Sequence, residues 1–421
     1  MQRRVFVRLV GGGVVAAAAT TAVGSLSGCT AGMPDVAVQA WSTAGQESDL
    51  RRWILSYALL APHSHNLQSW LVDLRQPDEI LLHCDTTRLL PQTDPLSRQI
   101  MMSQGSFIEL ACMAARERGY RPEVALFPQG VFDGAKPDQR PVARIRLVDD
   151  AQQPKDRLFA QITQRRTNRS LYAPERAVPA AAVQAMAAAI RIDAMPGAPE
   201  VPAAPDVPTA PHAASAPAAA EASAGLRFGF VGADNAAALQ QHRDIANQAW
   251  KIELQTPGTF EESLHVMRVG ADEVAQHRDG LVILDPMVVW LDRLGLFDRS
   301  KAPAPDSFAV TGQIKDFAAK MVSTPGFMWI ISEGNQRDTQ VNAGRAYARV
   351  QLAATAAGLA MQPLSQALQE YAEVAQPYAA IHRLLGASQP ANTVQMWARV
   401  GYAPKVGPSP RRSLPSFIQG G

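Results

Sequence analysis

The sequence predicts an α+β protein made of two related halves, each built around a long central helix. Three observations lead to this reading. Short strand-like runs alternate with helical runs from residue 50 onward. A weak internal repeat joins them: Gly105 to Gly119 encloses "SFIELACMAARER", Gly344 to Gly358 encloses "RAYARVQLAATAA" at the same interval, and a strand-like segment follows each. Finally, 421 residues with 47% hydrophobic and 19% charged content exceed one usual domain and can fill a substantial core.

The elements follow in chain order. Arg3 and Arg4 precede Phe6, and no charge occurs between Arg8 and Asp35. The stretch "GGGVVAAAATTAVG" is only mildly apolar, with less Leu, Ile and Phe than a membrane span normally holds, so residues 1–33 read as a twin-arginine export signal, with ordinary cleavage nearby or a retained membrane anchor as the alternatives. Its end, "LSGC", is similar to a lipoprotein processing box that would place a lipid on Cys29. Residues 34–46 read as a tether. Leu50, Trp53, Ile54, Tyr57, Ala58 and Ala61 then recur at helical spacing until Pro62 stops the helix. "WLVDL" and "ILLHC" are strand-like around the turn "RQPDE". A long helix is expected over 95–118, closed by Gly119, then strands at "EVALF" and "VARIRLV" and a helix near 154–164. This divides the chain into a first half, 47–150, and a second, 151–421. The composition of about 195–225, nearly all Pro, Ala, Ser and Val, marks an insert that cannot offset its ordering entropy. The strand "LRFGFV" resumes the fold.

Bulk properties narrow the function. A formal net charge of +2, with no long basic run, argues against a nucleic-acid surface. Beyond Cys29 only Cys84 and Cys112 remain, either as one disulfide or as two buried thiols; Cys112 lies inside a predicted helix, which favours the thiols. No Cys or His cluster has metal-ligand spacing.

Three polar loops stand out. "APHSHNLQSW" crowds hydrogen-bonding side chains behind a helix end. "RRTNRS" (165–170) can clamp an anion through its guanidinium groups, and Asn168 can both donate to and accept from an imide edge. "MWARVGYAPKVGPSPRRSL" delivers Lys405, Arg411 and Arg412 after a strand. Together these suggest a phosphorylated cofactor.

These loops resemble motifs of the flavin-dependent nitroreductases. "APHSHNLQSW" is similar to that family's A-P-S-x-x-N-x-Q-P-W signature, "RRTNRSLY" to its arginine motif, "GRAYARVQLAATAAGLAMQPLSQ" to its central helix and following strand, and "ARVGYA…SPRRSL" to its phosphate loop. The order of motifs resembles the Acg-type branch, in which two such halves are fused, and the likeness runs from about residue 48 to 415. It departs at His63, where the family has serine, and at Ser69, where it has proline.

The resemblance implies a nitroreductase-like fold: a monomeric pseudo-dimer whose halves are antiparallel-rich sheets flanked by helices. It implies one FMN (flavin mononucleotide) between the halves, because the first keeps the loop and the second keeps the arginines. Arg165, Arg166, Asn168 and Arg169 would hold phosphate and pyrimidine edge. His63, Ser64 and Asn66 would reach the flavin from the other half. Pro363, Leu364 and Ser365 would pass its face near N5, and Lys405, Arg411 and Arg412 would take the phosphate. The implied activity is ping-pong reduction of a nitro or quinone-like acceptor by a small-molecule donor, with no essential side-chain acid or base. Export would remove pyridine nucleotides and leave a membrane quinol or a redox partner as donor. An exported protein that sequesters FMN under a lid formed by 255–325 is the alternative. A lipoprotein with a degenerate flavin site would be colourless.

Overall fold

The computed structural model describes residues 32–191 and 225–419. The segment read as an export signal, with Cys29, and the Pro/Ala-rich stretch up to residue 224 lie outside the described residues.

In the first half, α3 (Leu50–Ala58) is capped by Asp49, whose carboxylate accepts the Arg52 N–H at 2.9 Å. Trp53, Ile54, Leu55 and Ala58 form its buried face. The helix ends at Ala58, and residues 59–61 close in a turn ahead of Pro62. β1 (Trp70–Asp73) and β2 (Glu79–Cys84) pair antiparallel, with Trp70 opposite Cys84. α4 (Arg98–Glu117) is capped from upstream: the Asp94 carboxylate accepts the N–H groups of Gln99 and Ile100 at 3.1 and 3.0 Å. β3 (Tyr120–Leu126) and β4 (Pro141–Asp149) complete the half. Cys84 and Cys112 are separate buried thiols, Cys112 within α4.

Two expected elements differ. The helix near 154–164 is a single 3₁₀ turn, Phe159–Gln161. Pro154 precedes it, and the Asp156 side chain accepts the Leu158 N–H at 2.9 Å, a local bond that competes with helix. The segment read as a tether is docked instead, as α1 (Asp35–Val38) and α2 (Ala40–Thr43), because Trp41 is buried and its indole N–H donates to the Ser409 carbonyl at 2.8 Å.

The second half contains α5 (Ala180–Ala189), β5 (Leu226–Val231), β8 (Gly326–Glu333), α11 (Arg337–Ala356), β9 (Ala360–Pro363) and β10 (Asn392–Gly401). Between β5 and β8 the chain builds a layer of α6 (Ala236–Gln255), α7 (Pro257–His265), β6 (Met267–Val269), α8 (Gly270–His277), β7 (Leu281–Ile283), α9 (Pro286–Arg293) and α10 (Phe308–Val322). α12 (Ala375–Leu384) packs beside α6.

The two main sheets share one topology. The first runs β1-β2-β4-β3 and the second β5-β8-β10-β9, antiparallel throughout, each with its long helix between the second and third strands in sequence. The first gains β11 (Ile418–Gln419), which lies parallel to β1, so the end of the second half enters the first half's sheet.

α4 and α11 cross at two glycines. A Cβ on Gly105 would fall 1.9 Å from the Val341 carbonyl oxygen, and one on Gly344 would fall 1.9 Å from that of Met102. Val341 and Met102 each precede the other glycine by three residues, so the contact is reciprocal. The repeat visible in the sequence is therefore the crossing point, where only glycine lets the backbones meet.

Candidate functional site

The chain leaves α3 through a tight turn. His65, Asn66 and Gln68 have φ of 49°, 55° and 54°, a region that costs non-glycine residues energy unless surrounding bonds hold it. Those bonds are the polar side chains of "HSHNLQS". His63 donates from Nδ1 to the Ser64 carbonyl at 2.8 Å, and its Nε2 accepts the Ser69 N–H at 3.0 Å. Burial, with the charges of Arg411 and Arg88, takes its pKa down to about 3 and keeps it neutral. The Ser64 N–H donates to Ser103 Oγ at 3.2 Å. Asn66 donates to the Pro410 carbonyl at 3.1 Å and accepts from Arg411 at 2.8 Å. Trp70 is fully buried, packed edge-on to His63 and against Phe107.

Arg165 and Arg411 meet at this turn and share one acceptor. Arg165 Nη2 reaches the Leu60 carbonyl at 2.9 Å, and Arg411 Nη2 reaches it at 3.1 Å. Arg411 also donates to the carbonyls of Leu59 and Ala61, which satisfies the buried carbonyls that follow α3. Arg166 is half-buried. The indole of Trp41 lies among all three, with guanidinium carbons 5.6 Å (Arg165), 4.3 Å (Arg166) and 5.0 Å (Arg411) from its ring. Arg399, fully buried in β10, stacks 3.9 Å from the Tyr172 ring and donates to Gln362 and to the Ser170 carbonyl.

Among the described residues, none of Arg165, Arg166, Arg399 or Arg411 has a carboxylate within ion-pair distance. Burial pulls the Arg165 pKa down to about 10. Burial, then the neighbouring Arg165 and Arg166, lowers that of Arg411 well below the usual arginine range. Arg165 Nε, Arg399 Nη1 and the Tyr347 hydroxyl are buried without a hydrogen-bond partner. Uncompensated cations with orphaned donors are a chemical fit for an anion such as phosphate.

The expected residues gather unequally. Asn168 is buried, donating to the Pro404 carbonyl at 2.7 Å and accepting the Ser170 N–H at 3.0 Å, so its amide edge is engaged by the chain. Arg169 is exposed, and its charge lowers the pKa of His65, after burial, to about 4. In the 363–365 segment, expected to pass the flavin, the Leu364 N–H donates to the Trp397 carbonyl at 2.8 Å. Pro363 closes the β9 ladder, and Ser365 follows it. Lys405 is exposed beside Pro404. Arg411 and Arg412 diverge: Arg411 enters the cluster, while Arg412 turns to the carbonyls of Gln68 and Ser416.

Trp41, Arg399, Tyr347 and Gln351 belong to this site and escaped the sequence reading. Arg399 had a signal, a lone charge in the apolar run "VQMWARVGYA". Gln351, which accepts from Arg165 at 3.2 Å, looked like any polar position on a helix.

The layer between β5 and β8 covers the turn. The Gly280 N–H donates to the Asn66 carbonyl at 3.2 Å, and Gln68 donates to the Arg278 carbonyl at 3.0 Å. Cavities of about 370 Å³, lined by Asp35, Val36, Val38, Gln39 and Ser42, and about 430 Å³, lined by Lys251, Gln255, Pro305, Asp306, Thr311 and Ile314, have none of these arginines in their walls.

No family model matches the chain, and no curated protein matches it. Solved structures similar to it include an FMN- and NADPH-dependent nitroreductase from sphigopyxis sp. strain HMH, at 15% identity, 62% of this chain, 97% of that one and a TM-score of 0.36. Another is an iodotyrosine deiodinase bound to FMN and 3-iodo-L-tyrosine, at 14% identity, 61% of this chain, 95% of that one and a TM-score of 0.33. A third is an FMN-dependent nitroreductase from Mycobacterium smegmatis in complex with NADPH, at 15% identity, 59% of this chain, 92% of that one and a TM-score of 0.32.

Proposed function

We propose that this chain is an FMN-dependent oxidoreductase of the nitroreductase type, an Acg-like fused pseudo-dimer with one flavin between its halves. The observation that carries the reading is the buried arginine cluster without carboxylates, set against the 59–66 turn of the other half. The matching strand orders and the reciprocal glycine crossing support the fusion.

Bound FMN would supply hydride acceptance and donation, chemistry that belongs to the flavin. Arg165, Arg166 and Arg399, with Arg169 and Lys405 at the edge, would hold its phosphate. Arg411 and Asn168 keep the walls in place by spending their own donors on the chain. His63, Ser64 and Asn66 fix the facing turn, and Pro363, Leu364 and Ser365 would pass the flavin near N5. His63 is neutral and engaged at both ring nitrogens, so it positions the loop rather than moving a proton. Donor and acceptor, a nitro or quinone-like compound, would use the same face in turn.

We place the protein outside the cytosol, on the reading of residues 1–33 as a twin-arginine signal with a lipid on Cys29, and infer a quinol or redox partner as donor. A second reading, FMN sequestration with little turnover, is favoured by the bonds that hold the covering layer on the turn.

The test is the absorbance of purified protein folded in the cytosol, with release of FMN on denaturation. Replacing Arg165 and Arg166 together with Ala should abolish the yellow colour while the circular dichroism spectrum is kept. FMN retained by that variant overturns the site. Rapid bleaching by a quinol separates turnover from sequestration.

A further inference from the structure

We propose that helix α9 is a lipid-contacting surface, lying in the plane of the membrane to which the N-terminal segment leads; this rests on the export-and-anchor reading above. α9 is capped by Asp285, which accepts the N–H groups of Met287 and Val288 at 2.9 and 3.1 Å. Val288 and Leu291 face inward and are buried. Met287, Trp290 and Leu294, on one face at helical spacing, are 50%, 53% and 52% exposed, and Leu296 beyond them is 45% exposed. Folding has therefore finished with four large apolar groups still in water, grouped rather than scattered.

The position of the chain's start selects the occupant. α1, four residues into the described chain, packs against α8, and β6 packs against both α8 and α9. α1, which follows the uncharged stretch between Arg8 and Asp35 in the sequence, thus stands against the layer that carries the patch. The patch edge is mixed in charge: Asp272 faces Arg293 at 3.8 Å, and Arg299 pairs with Glu273 at 2.7 Å. Asp292 of α9 shares Arg299 at 3.5 Å, so the rim offers no basic run to an acidic partner, and a tryptophan beside aliphatic groups suits the boundary between headgroups and acyl chains. With eight residues α9 is far too short to span, and no described helix is long and apolar enough to do so.

The experiment uses the full chain, mixed with vesicles of phosphatidylethanolamine and phosphatidylglycerol, with and without nitroxide-labelled lipid. The emission of Trp290 is read as the difference between the wild type and Trp290→Phe. The expected result is that the chain sediments with the vesicles, that the difference emission moves to shorter wavelength, and that shallow nitroxides quench it. Sedimentation with an unshifted, unquenched difference overturns the proposal and leaves the anchor reading standing. Failure to sediment overturns both. A difference emission already blue-shifted without vesicles shows the patch covered by the chain's own leader, or by a second copy if light scattering gives a dimer, and overturns the proposal as well.

Discussion

Helix α11 touches two buried groups of arginines, and they obey opposite rules. Arg345 and Arg349 project to the first half and find acid. Glu109 of α4 takes Arg345 Nε at 2.9 Å and Arg349 Nη1 at 2.9 Å, and Asp156 takes Arg349 Nη1 at 2.6 Å. Burial alone would lower the pKa of Arg345, yet Glu109 holds it above the ordinary value. A turn or so further on, Gln351 holds Arg165, whose neighbours are Arg166, Arg411 and an indole. There burial wins and the pKa falls. Desolvating guanidinium groups is costly in both places. Only the first place contains the charges that offset it. The difference separates a structural ion network from the group proposed to receive an anion from outside the chain.

The largest effect expected breaks the balanced group. Glu109→Ala strands Arg345 and leaves Arg349 with Asp156 alone in the buried interface between the long helices, and should cost about 3–5 kcal/mol, read by urea denaturation. A loss below about 1 kcal/mol would mean that the two groups do not differ in kind.

A buried acid without a cation sharpens the same contrast. Glu253 is buried in α6 and accepts from Gln369 at 2.6 Å. Burial raises its pKa to about 7, against an ordinary 4.5, and the Gln369 bond only partly opposes this. The folded state therefore keeps the proton to higher pH than the unfolded chain does, so stability is lost as pH rises from about 4.5 through about 7. Glu253→Gln should remove that loss, raising stability by about 1–3 kcal/mol at pH 8 with little change at pH 5. Equal gains at both pH values in thermal melts would exclude the carboxyl as the cause.

Much of this was readable from residues, and the limits have physical reasons. The repeat was legible because a backbone crossing demands glycine, and glycine is visible in a sequence. The α3 helix and its stop were legible from apolar spacing and Pro62. The docking of residues 35–43 was not, because the apolar content that secures it is mainly one indole, and its partner carbonyl belongs to Ser409 at the far end of the chain. The arginine motif was legible as cation chemistry, but not which guanidinium groups the fold would consume. Arg411 looked like a phosphate ligand, whereas the bare carbonyls at the end of α3 claim its donors. Local sequence shows which groups can donate; the contents of the surrounding space depend on the other half.

The smallest effect is the most discriminating. Arg165→Met removes bonds to Leu60 and Gln351, but Arg411 still serves the Leu60 carbonyl, and one of three crowded cations disappears. The loss and the relief are of similar size, so ligand-free stability should change by no more than about 1 kcal/mol. An acid-paired arginine could not be removed so cheaply. Binding restores the asymmetry: FMN should raise the melting temperature of the wild type, since a ligand for the folded state stabilises it, and should leave Arg165→Met unmoved. If Arg165→Met instead unfolds the ligand-free protein as Glu109→Ala does, Arg165 is a structural arginine, and the contrast between the two groups is false.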